Sequence, residues 1–97
     1  MYASVTTTQF RPLALEELAT IYQRLIPTLQ ATMGWCGVYV LADCENGYSR
    51  IVDLWETEAD AVAFQASGAY QKLLATELDG LLVGQPQREM CRVLFRA

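Results

Sequence analysis

Asp53 is an acid set within an otherwise apolar run, Ile-Val-Asp-Leu-Trp at positions 51–55. A carboxylate buried among apolar side chains holds its proton more tightly and can serve as a general base. The plainer alternative is pairing with an arginine, such as Arg92 or one from a partner chain, because an unpaired buried charge is costly. Trp55, Phe64, Tyr22 and Tyr70 supply rings that could wall a site for a small planar molecule. Rings at these spacings also fill cores, and each buried ring contributes on the order of 2 kcal/mol through area alone. Tyr39 and Tyr48 carry phenol donors with no partner identifiable in the sequence.

Other chemistries are excluded by what the chain lacks. It contains no histidine, so no His-based catalysis and no Cys–His zinc site can be built, and no metal site is expected. Cys36, Cys44 and Cys91 show no CxxC spacing and no activating base. They read as reduced thiols of a cytoplasmic protein, with Cys36 and Cys91 acting as small core residues. Gly80 and Gly84 lie in a segment, LDGLLVGQP, that is not a phosphate-cradling loop. No cofactor is expected.

The chain's 97 residues suit a single domain spanning 1–97. With 53% apolar and 19% charged residues it is too apolar for disorder. Its net charge of −4 comes without a cluster of cations, so nucleic acid is not an expected partner. No apolar run approaches the roughly 20 residues of a membrane span, and no membrane partner is expected.

The elements that must position these residues are legible. Residues 3–10, rich in β-branched side chains, form a first strand. A helix opens at Pro12 and carries an apolar stripe of Leu15, Leu18, Tyr22, Leu25 and Leu29 to about Thr32, with Pro27 kinking it. Residues 35–43 and 48–55 form a hairpin. With Asn46-Gly47 as a two-residue turn, Asp43 lies opposite Arg50 and Val40 opposite Asp53. Thr57 caps a second helix that bends at Ser67-Gly68, continues through Tyr70, Leu74 and Leu78, and ends at Gly80. Residues 88–95 close as a last strand. This order is the ferredoxin-like α+β plan, βαββαβ with an antiparallel sheet.

Both faces of the hairpin are apolar. Tyr39, Leu41, Val52 and Leu54 lie on one, and Cys36, Val38, Val40, Ile51 and Trp55 on the other. Two helices cover one face only, so a second copy of the chain is the expected cover for the other, giving a homodimer.

With these motifs in place, the chain resembles the antibiotic biosynthesis monooxygenase-like dimeric α+β barrels. The resemblance is carried by Gly34-Trp35, by Leu54-Trp55-Glu56-Thr57-Glu58, by Ser67-Gly68-Ala69-Tyr70 and by Arg88-Glu89. It implies two ferredoxin-like chains packed sheet to sheet, and an activity drawn from cofactor-independent oxygenation or haem degradation. Where active relatives carry His or Trp this chain has Phe64. Where some carry a further His it has Ala69, and at the iron-ligating position of haem degraders it has Leu74. Haem degradation is therefore not expected. The reading is of a homodimer that binds a small planar apolar ligand, as a divergent monooxygenase. The alternative is a non-catalytic scaffold whose core is filled by its own side chains.

Overall fold

The computed structural model describes residues 1–11, 15–43, 45–76 and 83–97. The expected helix start at Pro12, Cys44, Leu78 and the turn at Gly80 lie outside them, as do the side chains of Leu15 and Leu74.

Four strands, β1 (Tyr2–Gln9), β2 (Trp35–Asp43), β3 (Tyr48–Trp55) and β4 (Gln87–Arg92), form one antiparallel sheet in the order β2-β3-β1-β4. This is the expected ferredoxin-like arrangement. Between the strands run α1 (Leu15–Gln23) and α2 (Ile26–Gln30), then α3 (Glu58–Ser67) and α4 (Ala69–Thr76). Each expected helix is thus two pieces. Pro27, lacking an N–H, sits in the first turn of α2, so the chain breaks before it rather than kinking at it. Gly68 ends α3 in the left-handed region at φ 75°, and α4 restarts at Ala69. Thr57 caps α3 as expected, its hydroxyl accepting from the Asp60 N–H at 3.1 Å.

The core lies between the helices and one face of the sheet. Phe10, Leu18, Ile21, Leu25, Leu29 and Ile51 are buried there together with Tyr22, Trp55, Phe64 and Tyr70. The inward face of β1 is unusual in carrying the hydroxyls of Ser4, Thr6 and Thr8, all buried. Buried polar groups need partners, and two of these have them. Ser4 Oγ accepts from Trp55 Nε1 at 3.2 Å, and Thr6 Oγ1 from Arg88 Nε at 3.4 Å.

The hairpin register corrects the expectation. Asp43 pairs with Tyr48, Leu41 with Arg50 and Val38 with Asp53. The turn is longer than Asn46-Gly47 alone because the Asp43 carboxylate organises it, accepting the N–H groups of Glu45 and Asn46 at 3.1 and 3.2 Å. The displacement is two residues, so each side chain of the 38–54 ladder keeps its expected face. A bulge between Trp35 and Gly37 then resets the entry to β2. The face turned away from the helices leaves Tyr39, Leu41 and Tyr48 exposed. Cys91 is exposed and Cys36 half-buried, so neither is the core residue expected. Among the described residues no helix is long and apolar enough to cross a membrane.

A buried carboxylate behind a tyrosine-walled cavity

Asp53 lies on β3 with its side chain wholly buried on the helix side. Tyr70, at the second position of α4, donates its hydroxyl to Asp53 Oδ2, and Trp35 Nε1 donates to Oδ1 at 3.3 Å. The arginine expected to pair with Asp53 was Arg92 or one from a partner chain. Within this chain the nearby charge is that of Arg88, whose guanidinium stacks over the Tyr70 ring, 5.4 Å from the centroid. Burial pushes the Asp53 carboxyl above its ordinary range, opposed by the Tyr70 and Trp35 hydrogen bonds and by the Arg88 charge. Desolvation, then the neighbouring carboxylate, raises both the Tyr22 and the Tyr70 phenol, so each stays protonated.

The four rings singled out in the sequence form one continuous chain. Trp55 and Phe64 have centroids 5.1 Å apart, Phe64 and Tyr70 meet edge-to-face at 5.2 Å, and Tyr70 and Tyr22 at 6.5 Å. Their roles separate by depth. A cavity of about 260 Å³ is lined by Tyr22, Leu25, Ile26, Leu29, Val38 and Tyr70, with Gln23 and the half-exposed Val40 among its other walls. Trp55 and Phe64 stand behind Tyr70 and are not in that lining, nor is Asp53. No charged side chain lines the cavity among the described residues. The buried Tyr22 hydroxyl has no hydrogen-bond partner among the described residues.

Sequence reasoning missed Trp35 as the hydrogen-bond partner of Asp53 and Arg88 as its neighbouring charge, because both come near it only through strand pairing. Of the aliphatic walls, Leu25 and Leu29 were legible in the apolar stripe of the first helix and Val38 and Val40 in one face of the hairpin, but Ile26 was not singled out.

Neither a family model nor a curated protein matches the sequence. Solved structures do. The haem degrader MhuD of Mycobacterium tuberculosis, solved with two haems bound, superposes with a TM-score of 0.80 at 13% identity, covering 100% of this chain and 99% of that one. A putative antibiotic biosynthesis monooxygenase from Bordetella bronchiseptica gives 0.79 at 17% identity, over 97% of each chain. A Nitrosomonas europaea protein of unknown function gives 0.78 at 20%, over 99% and 91%. The chain has the antibiotic biosynthesis monooxygenase-like fold. That fold holds both monooxygenases and haem degraders, so it fixes the architecture and leaves the chemistry to the site.

Haem does not fit the residues present. No histidine exists to ligate its iron. A cavity of about 150 Å³ takes one benzene ring, so 260 Å³ suits a molecule of about two fused rings and not a porphyrin.

Proposed function

We propose that the chain is a homodimer that binds a small, uncharged, largely apolar ring compound against Tyr22 and Tyr70. The supporting observation is the cavity of about 260 Å³ walled by these tyrosines and by aliphatic side chains, with Asp53 directly behind Tyr70. On this reading the activity is a cofactor-independent oxygenation. The substrate supplies all four electrons that O2 takes up: one oxygen atom becomes a substrate carbonyl, and the other leaves as water with the two displaced hydrogens. Asp53 is the base, reached through the Tyr70 hydroxyl because the carboxylate itself is not in the cavity wall. Trp55 and Phe64 hold Tyr70 from behind. The unpaired thiols of Cys36 and Cys91 support a reducing, cytoplasmic setting.

The competing reading is a scaffold with a self-filled core. It is favoured by Trp55, which is fully buried with its N–H taken by Ser4. A thermal-shift screen against naphthol- and hydroquinone-type compounds separates the two. A ligand at 100 times its dissociation constant adds about 2.7 kcal/mol, a shift of several degrees. The ligand reading expects such a shift, its loss in the cavity-filling Val38→Trp, and oxygen uptake with the same compound. A panel that leaves the midpoint of the wild-type chain unmoved overturns it and establishes the scaffold.

A further inference from the structure

The turn between β2 and β3 carries an Asn-Gly pair, the sequence most prone to spontaneous deamidation because glycine leaves its own amide nitrogen unshielded. In that reaction the Gly47 nitrogen loses its proton and attacks Asn46 Cγ. A C–N bond forms and the side-chain amide leaves as ammonia. Water then opens the succinimide ring to aspartate or to an isoaspartyl linkage. Asn46 is exposed, so solvent reaches it.

The turn restrains every group that must move. Gly47 N–H donates to the Asp43 carbonyl at 2.9 Å, and the Gly47 carbonyl accepts from Phe10 N–H at 2.7 Å. Asn46 Nδ2 donates to Asp43 Oδ2 at 3.0 Å, while Asp43 Oδ1 takes the N–H groups of Glu45 and Asn46. Phe10, at the other end of the clamp, is buried. To cyclise, the chain must strip Gly47 N–H from the Asp43 carbonyl and release the Asn46 amide from the Asp43 carboxylate.

We propose that Asn46 is a latent deamidation site and that Asp43 is its guard. The folded turn holds Asn46 intact, and any event that opens the turn exposes it to conversion. The product is self-reinforcing: a new carboxylate at position 46 replaces the amide that Asp43 held, setting two like charges against each other.

The test is isoaspartate quantitation and peptide mass spectrometry at residue 46 during incubation of the full chain at mildly alkaline pH. Native wild-type protein is compared with the same protein unfolded in urea, and with native Asp43→Ala and Asp43→Asn. The native chain should convert at least about tenfold more slowly than the unfolded one, the loss of one hydrogen bond to a charged group being worth about that factor. Native Asp43→Ala should recover most of the difference. Asp43→Asn, which keeps one acceptor oxygen and its shape, should lie between and covers the case in which the alanine variant does not fold. Equal rates for native and unfolded wild-type chains overturn the latency. Wild-type rates in the folded aspartate variants overturn the role of Asp43.

Discussion

Tyr22 and Tyr70 are chemically the same residue in one cluster, yet the structure gives them opposite energetic roles. The Tyr70 hydroxyl satisfies a buried carboxylate, whereas the Tyr22 hydroxyl is buried with no partner among the described residues. Removing one member of a hydrogen bond strands the other, while removing an already stranded group costs nothing. Tyr70→Phe should therefore destabilise the chain by about 1–3 kcal/mol, and Tyr22→Phe should be neutral or stabilising, both read by urea unfolding. Equal losses in the two variants would show that Tyr22 has a partner after all. Asp53 makes the matching statement in pH. Its carboxyl is held above the ordinary value of 3.8, so the folded state binds that proton more tightly than the unfolded state. The sign follows: its contribution to stability is full below that ordinary value and declines as pH rises through the raised one. Asp53→Asn removes this decline, so the variant should gain on the wild type as pH is raised from about 3.5. A stability difference that stays constant across that range would refute the shift.

At the scale of elements, the breaks in the helices matter as much as the helices. Gly34, between α2 and β2, has φ 81°, and a Cβ built on it would fall 2.1 Å from Asp60 Oδ2. This is where the N-terminus of α3 closes on the entry to β2, and Gly34 O accepts the Glu56 N–H at 2.8 Å. Gly68 also has a positive φ, 75°, but open space around it. Gly68→Ala should then cost about 1 kcal/mol of backbone strain alone. Gly34→Ala should cost clearly more, because Asp60 must also leave its Thr57 hydrogen bond. Thermal midpoints of the two variants decide it, and equal losses would deny the steric contribution. The same elements show what was legible in the sequence. The strands and the cap at Thr57 follow from β-branched runs, the Asn-Gly turn and a hydroxyl at a helix start, all local signals. The hairpin register did not, since Asn46-Gly47 suggests the shortest loop and only the Asp43 carboxylate, folding back on two amides, lengthens it. Asp53 stood out as an acid in an apolar strand. Its hydrogen-bond partner Trp35 and the neighbouring charge of Arg88 did not, because they lie 18 and 35 positions away (differences of residue numbers) and converge only when β2 and β4 take their places around β3 and β1.

For the whole molecule, the sheet has one face covered by helices and one whose outer strands are left exposed. Tyr39 is 57% exposed and Leu41 51%, and they belong to the strand face that the helices do not reach. The tail past β4 also presents apolar side chains to solvent. Val93 N–H still bonds to the Met1 carbonyl at 3.0 Å, and beyond it Leu94 and Phe95 stand 90% and 83% exposed. A chain of 97 residues buries too little surface by itself to spend large apolar side chains on solvent without consequence. A second copy meeting the first through this face would remove both liabilities, with like patches facing across a two-fold axis. Leu41→Lys places a charge at that face while leaving the helix-side core untouched. Light scattering at micromolar concentration should read a dimer for the wild type and a folded monomer for the variant. Truncation after Val93 should weaken the dimer, moving its dissociation to higher protein concentration without changing the monomer's circular dichroism. Cys91, exposed on the same face opposite Ala3, gives an independent readout: its reaction with a thiol reagent should slow as wild-type concentration rises and stay fast in Leu41→Lys. A wild-type monomer, or a Cys91 rate independent of concentration, would mean that the apolar face meets a different partner. The cavity beside Tyr22 and Tyr70, built entirely from one chain, would then have to function without a second copy.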